Sequence, residues 1–335
     1  MPTPQTPIGS GFTAVSTAAD VIHGIDLTGK VAIVTGGYSG LGCETVRVFL
    51  KAGARVIVPA RDVERAKVAL SNVGGAEILP MDLANPASVE AFSKQFLTTG
   101  LPLHILVNSA GIMAVPELVR DARGHEIQFA TNHLGHFQLT LSLWPALVKA
   151  QGARVISVSS KAHRFGEVVF DDIDFAGRSY DPWVAYAQSK TANSLFAVEL
   201  DNLGKKEGIR AFAPHPGAIV DTGLGKHVPT DALKAMGILD ADGKPVIDPA
   251  KDLKTVPQGA ATQVWCATSL KLNGLGGVYC ENSDIAPLGQ IDDESQSAGE
   301  DALKAVGVLP YAVDRAAAAK LWAVSKQMLD VSTST

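Results

Sequence analysis

From residue 30 onward, short apolar runs alternate with longer amphipathic ones. The short runs are Val31–Thr35, Arg55–Val58, Ala76–Pro80, His104–Asn108, Arg154–Val158, Arg210–Ala213 and Gly277–Cys280. They lack the inside–outside alternation of a half-exposed strand, so each predicts a strand buried on both faces. Between them Gly40–Lys51, Pro86–Leu97, Gly124–Ala150 and Trp183–Lys205 have the length and period of helices. In the last of these Phe196, Leu200 and Leu203 recur at i, i+4 and i+7 and predict one buried face. Strands each followed by a helix predict an α/β fold. The expected form is a doubly wound, seven-stranded parallel sheet with helices on both faces, over residues 28–288.

Three segments stand outside this alternation. Residues 1–27 read as a loosely ordered N-terminal arm. Residues 223–257 form a long insertion after the sixth strand, interrupted by the turn Asp240–Gly243. Ligands of doubly wound sheets bind beyond the carboxyl ends of the strands, so this insertion is a candidate substrate lid. Residues 289–335 open acidic (IDDESQSAGEDALKAVG) and end alanine-rich, which predicts a helical, peripheral extension.

Composition narrows the function classes. A net charge of −5 offers no electrostatic footprint for nucleic acid or an anionic membrane. No apolar stretch reaches 18 residues, so no membrane span is expected. Three scattered cysteines make no disulfide framework and fit a reducing compartment, hence the cytoplasm. The first 25 residues lack the basic and apolar regions of a secretory signal.

The first strand runs into VTGGYSGLGCE, with Gly36, Ser39, Gly40, Leu41 and Gly42 leading into a helix. Such a turn either packs closely or cradles a diphosphate on the helix N-terminus. Its spacing, G-x-x-x-G-x-G, differs from the G-x-G-x-x-G of many dinucleotide folds. The second strand ends VIVPARD, with Arg61 near where an acid would bind a ribose hydroxyl. A guanidinium there suits a 2′-phosphate, favouring NADP(H) over NAD(H). Alternatively Arg61 is a solvated residue beside an N-cap at Asp62. Asp82, after the third strand, offers an acceptor to an adenine amino group or a cap to the next helix.

AYAQSK puts Tyr186 and Lys190 four apart, on one face of a helix. A phenol, with a free pKa of about 10, can protonate a developing alkoxide if it is drawn toward neutrality. Three units cost about 4 kcal/mol, and a unit charge at about 4 Å in an effective dielectric near 20 supplies a similar amount. A surface i, i+4 pair is the other reading. Competing chemistries fail on spacing. G-x-S-x-G is broken by Leu41, and H-E-x-x-H from His125 is broken by Phe129, so neither a hydrolase elbow nor a metal site is expected.

Further fragments follow in order: NSAG at Asn108–Gly111, TNHLGHF around Asn132, SVSS ending at Ser159 and Ser160, and HPG at His215–Gly217. Together with the glycine loop and AYAQSK, this set resembles the short-chain dehydrogenase/reductase family over residues 28–285. FDDIDF and PWVAYAQSKTAN resemble its retinol dehydrogenase-like and WW-domain oxidoreductase-like branch. The resemblance implies a Rossmann fold and an NADP-dependent carbonyl reductase or alcohol dehydrogenase acting on a small molecule. Tyr186 would be the acid/base, Lys190 would lower its pKa and hold the nicotinamide ribose, and Ser160 would hold the substrate oxygen. Asn132 would sit at a helix distortion and hold a relay water. Gly36, Ser39, Gly40, Leu41 and Gly42 would cradle the diphosphate. Arg61, Asp82, Leu83, Asn108, Ala110 and Gly111 would line the adenosine side, and Pro216, Gly217, Ile219 and Thr222 the nicotinamide.

The chain departs from the family pattern where its threonine after HPG is expected, since that position is Asp221 and Thr222 comes one later. Apolar lid residues Val228, Leu233, Met236, Ile238 and Leu239 suggest a largely apolar substrate. Gly124–Ala150 and Trp183–Lys205 are candidate faces for a homodimer. Two other functions are open: an NADP(H)-binding sensor or scaffold without turnover, and a C=C reductase of similar fold. An intact tetrad disfavours the first, and no cysteine is well placed for the second.

Overall fold

The computed structural model describes residues 2–219, 222–290 and 305–330. Its strands are β1 Val31–Val34, β2 Arg55–Ala60, β3 Glu77–Pro80, β4 Ile105–Asn108, β5 Ala153–Ser157, β6 Ile209–Pro214, β7 Val278–Glu281 and β8 Asp284–Ile285. They form one sheet in the order β3-β2-β1-β4-β5-β6-β7-β8. The first seven pair in parallel. The eighth turns back antiparallel on β7; only two residues long, it lacks a periodic signal, and the sequence pattern missed it.

Alternate side chains of the strands enter separate cores. Ile33, Ile57, Leu106 and Val155 face helices Pro86–Thr98, Gly135–Ser142 and Pro182–Gly204. Val34, Val56, Val107 and Ile156 face helices Gly40–Lys51 and Val256–Thr268. Successive strand residues point to opposite faces, so burial of both faces requires the uniformly apolar runs seen in the sequence.

The expected helix over Gly124–Ala150 is in fact broken. Arg120 bridges Glu126 in an antiparallel turn, and helix begins only at Ile127. The chain then widens into a π-helical turn, Ala130–Leu134, before Gly135–Ser142 and Trp144–Lys149. Within the tyrosine-bearing helix, Phe196 and Leu200 are buried as expected, whereas Leu203 is 42% exposed.

Both terminal segments are more integral than their sequences suggest. Gln5 mimics an edge strand: its Oε1 accepts from Tyr279 N at 3.0 Å, while its Nε2 donates to the Tyr279 and Ala286 carbonyls, each at 2.7 Å. Helix Ala18–Ile22 follows, closed by a Thr17–Asp20 capping box, and packs on helix Val256–Thr268. At the other end, helix Arg315–Met328 lies along the tyrosine-bearing helix, with Ala318 and Leu321 fully buried. Trp322 stacks on Phe196 and meets Phe137 edge-on at 4.9 Å. The aromatic part of the face expected to meet a second copy is thus taken by the chain's own C-terminal helix. Most of the acidic stretch before it lies outside the described residues.

Removing the Leu321 side chain leaves a cavity in a core shared with the main sheet. Leu321→Ala is expected to cost about 2–4 kcal/mol in urea unfolding. A loss below about 0.5 kcal/mol, the range of surface substitutions, would mean the helix is merely appended.

Candidate active site

At the carboxyl edge, the turn after β1 and the loop after β4 are held together by one hydroxyl. Thr35 Oγ1 accepts from Ser109 N at 2.9 Å and Ala110 N at 3.0 Å. It also lies 2.8 Å from His136 Nε2. His136 Nδ1 donates to the Asn132 carbonyl at 2.9 Å, which leaves Nε2 as acceptor for the Thr35 proton. Gly36, at φ +66°, sits directly on Ala110, and a Cβ there would lie 3.0 Å from Ala110 Cα. A Cβ on Gly42 would overlap the Gly36 carbonyl, so only glycine lets the helix approach the turn this closely. Ser39 is the N-cap residue of helix Gly40–Lys51, yet its side chain makes no capping bond. The first-turn N–H groups therefore remain available to an anion. Gly37, which motif reading passed over, is equally constrained, packed between the Val34 carbonyl and Val46.

Asn132 lies within the π-helical turn, where the expected helix distortion occurs. Glu126 caps the start of this helix by accepting from Gln128 N and Phe129 N at 2.9 and 2.7 Å. The Asn132 side chain clamps Ile112, accepting from its N and donating to its O, both at 2.9 Å. It donates also to Ser189 Oγ at 2.9 Å. Between them Gly111 faces both Asn132 Oδ1 and Lys190 Nζ, which lie 3.2 and 3.8 Å from where its Cβ would be.

Tyr186 and Lys190 extend from helix Pro182–Gly204, which Asp181 caps. Lys190 Nζ donates to the Val158 carbonyl at 3.0 Å and lies 5.6 Å from the centre of the Tyr186 ring. Burial lowers the Lys190 pKa to about 8 and, against the downward pull of a hydrogen bond with Ser160, raises the Tyr186 phenol to about 12. The described residues thus do not draw the phenol toward neutrality as the sequence reading expects. Tyr186 therefore stands protonated at neutral pH, the form that donates a proton. The two neighbouring serines differ in surroundings. Ser159 is buried, donating to the Lys190 carbonyl at 2.8 Å and touching Ser194 Oγ at the same distance. Ser160 is half-buried beside Tyr186. Its own backbone carbonyl accepts from His163 Nδ1 at 2.8 Å, and His163 Nε2 accepts from Leu309 N at 3.1 Å. Through that imidazole the C-terminal segment braces the serine loop.

The remaining predicted residues distribute around this edge. Arg61 follows β2 directly and is exposed, and Asp62 caps the next helix by accepting from Arg65 N. Asp82 does not cap a helix: Asn85 does, while Asp82 accepts from Ala84 N at 3.0 Å and shapes the turn. Leu83 is buried in the core with Met81 and Val89. Asn108 is buried at the end of β4, its Nδ2 on Thr140 and its Oδ1 without a partner among the described residues. Leu41 and Ile219 both pack on Gly259, and the Thr222 side chain reaches Gly40, joining the two sides of the cradle. Pro216 is half-buried and Gly217 buried beside them. Asp221 lies outside the described residues. Thr35, His136 and His163 were missed by sequence reasoning. Thr35 adjoins the glycine motif, but nothing local marks either imidazole.

Burial holds His133 and His163 at a pKa of about 3 and His136 at about 4. A histidine kept neutral in the fold favours the unfolded chain when protonated. Its contribution is therefore full above pH 6.5 and is lost progressively as pH falls from there to the folded-state pKa. Glu126, raised by burial to about 7, acts oppositely, contributing most below pH 4.5 and losing this as pH rises to 7. Three imidazoles outweigh one carboxyl, so stability should fall by about 3 kcal/mol between pH 7 and pH 5. Urea midpoints at the two values measure this, and equal or higher stability at pH 5 would refute it.

A family model for short chain dehydrogenases matches residues 30–232. A probable oxidoreductase of Streptomyces antibioticus is 42% identical over 304 residues, covering 89% of this chain and 97% of that one. The human WW domain-containing oxidoreductase is 36% identical, over 81% of this chain and 66% of its own length. Among solved structures, an uncharacterized protein of Mycobacterium paratuberculosis aligns over 94% of this chain and 97% of its own, with TM-score 0.68 and 31% identity. With its glycine turn against β4 and its Asn–Ser–Tyr–Lys set at the same edge, the chain belongs to the short-chain dehydrogenase/reductase family, in the branch similar to WW domain-containing oxidoreductases.

Proposed function

We propose that this oxidoreductase is NADP(H)-dependent and interconverts a ketone or aldehyde with an alcohol on a largely apolar small molecule. The observation that carries the reading is the convergence of Asn132, Ser160, Tyr186 and Lys190, from separate elements, beside a glycine cradle. The chain's residues fit such a cofactor: the cradle is closed to any side chain, the helix N-terminus is uncapped, and a buried ammonium stands nearby.

When bound, the nicotinamide supplies or accepts the hydride. Tyr186 gives its phenolic proton to the substrate oxygen as negative charge develops there, and Ser160 orients that oxygen by a hydrogen bond. Lys190, held by the Val158 carbonyl, presents a positive charge that favours the tyrosinate left behind. Arg61, exposed just past β2, reads the 2′-phosphate through its planar fork. Val228 is buried in the insertion after β6, and Leu233, Met236, Ile238 and Leu239 are half-buried, apolar surface consistent with an apolar substrate.

Fluorescence titration should show NADPH binding more tightly than NADH, and Arg61→Ala should weaken NADPH alone, by about tenfold. Tighter binding of NADH, unaffected by Arg61→Ala, would assign the chain to NAD(H), and equal affinities would remove Arg61 as a phosphate reader. With NADPH and a panel of aldehydes and ketones, Tyr186→Phe should lower turnover by at least about a hundredfold while nucleotide binding persists. Nucleotide binding with no turnover of any carbonyl by the unaltered chain would instead favour a sensor.

A further inference from the structure

A buried charged cluster, of which only His215 belongs to a motif above, sits under the loop that follows β6. Its centre is Asp252, at the far end of the lid, with a left-handed backbone (φ +65°) and 8% exposure. Asp252 Oδ2 accepts from His215 Nε2 at 2.6 Å and pairs with Lys161 Nζ at 2.9 Å. Oδ1 pairs with Lys254 Nζ at 3.2 Å, and Lys254 donates also to Asn282 Oδ1 at 2.6 Å. His215 Nδ1 accepts from Lys161 N at 3.0 Å, so the imidazole is neutral with its proton on Nε2. Burial alone would raise the Asp252 carboxyl, but the His215 N–H and the two ammonium groups reverse this and hold it ionised.

The cluster joins three stretches of backbone. Lys161 directly follows Ser160, and His215 directly precedes Pro216–Gly217. Ala218 N donates to the Asp252 carbonyl at 2.8 Å, and Lys254 N donates to the Ala218 carbonyl at 3.0 Å. Gly217, at φ +92°, lies flush on the cluster: a Cβ there would come 2.8 Å from Lys254 Cδ and 3.0 Å from the Asp252 carbonyl oxygen. Buried ion clusters are a weak source of stability, since well-packed apolar groups often replace them without loss. What a carboxylate with three fixed donors supplies is geometry.

We infer that Asp252 is a positioning residue that seats Pro216–Ile219 against the Ser160 loop and so determines where the nicotinamide end of the cofactor lies. This rests on the NADP(H) reading above. Aspartate and asparagine both tolerate a left-handed backbone, so Asp252→Asn keeps the turn while removing the charge and one of the two acceptor oxygens.

The test compares NADPH with ADP-ribose 2′-phosphate, which carries the adenosine and diphosphate but no nicotinamide, on the full chain. In Asp252→Asn the NADPH dissociation constant should rise about tenfold while that of the fragment changes less than about twofold. Anisotropy of bound NADPH should fall as its nicotinamide loosens. Combined with His215→Asn, the loss should be less than the sum of the two single losses, because both variants disturb the Asp252–His215 hydrogen bond. Should Asp252→Asn fail to fold, Asp252→Asn/Lys254→Met removes the ammonium left over, and the same selective loss is expected. Equal weakening of both ligands, or of neither, overturns the proposal. If the unaltered chain binds neither NADPH nor the fragment, the cofactor reading itself falls and takes the proposal with it.

Discussion

The carboxyl edge depends on the seam between β1 and β4. The sheet order reverses direction there, and the chain leaves the two strands toward opposite faces. A crevice opens between the departing segments, and the Thr35 hydroxyl spans it, bound to two backbone N–H groups and to His136. Gly36 and Gly42 follow from the same constraint, because backbone must touch backbone on both sides of the seam. The π-helical turn is tied in through the Asn132 carbonyl and the Asn132 side chain. One hydroxyl thus relates the glycine turn, the β4 loop and the asparagine of the tetrad.

Much of the polarity around this edge is buried, and its cost is offset largely by pairing, although Asn108 Oδ1 has no partner among the described residues. Glu126, Asn132, Ser159 and Asp252 each meet specific donors or acceptors rather than water. Unpaired, such groups would each cost about 1–3 kcal/mol, more where charged. Pairing also fixes direction. Ser159 is turned to the Lys190 carbonyl, leaving Ser160 toward Tyr186, and the imidazoles of His136, His163 and His215 are each held in one tautomer by their neighbours.

The terminal segments stabilise the same edge from outside. His163 couples the Ser160 carbonyl to Leu309, and Tyr311 donates to the His163 carbonyl at 2.6 Å. Further along, Trp322 packs on both Phe137 and Phe196, which also touch each other, and Ser325 meets the buried His133. At the other end, Gln5 and helix Ala18–Ile22 complete the edge near β7 and the helix Val256–Thr268.

What the sequence determined by itself was set by interactions close along the chain. Apolar runs buried on both faces specify parallel strands, the glycines after β1 specify a close turn, and a spacing of four puts Tyr186 and Lys190 on one helical face. Asparagine in TNHLGHF marked the distorted helix only through family likeness, since a π turn has no periodic signature. The tertiary structure alone decided what residues far apart in the chain do together. Nothing near Asp252 announces His215 or Lys161, nothing near Thr35 announces His136, and an alanine-rich tail gives no sign that Trp322 will stack on Phe196. Local pattern records the backbone state of a segment; partnership between segments arises when hydrophobic burial brings them together and every enclosed polar group must find its match.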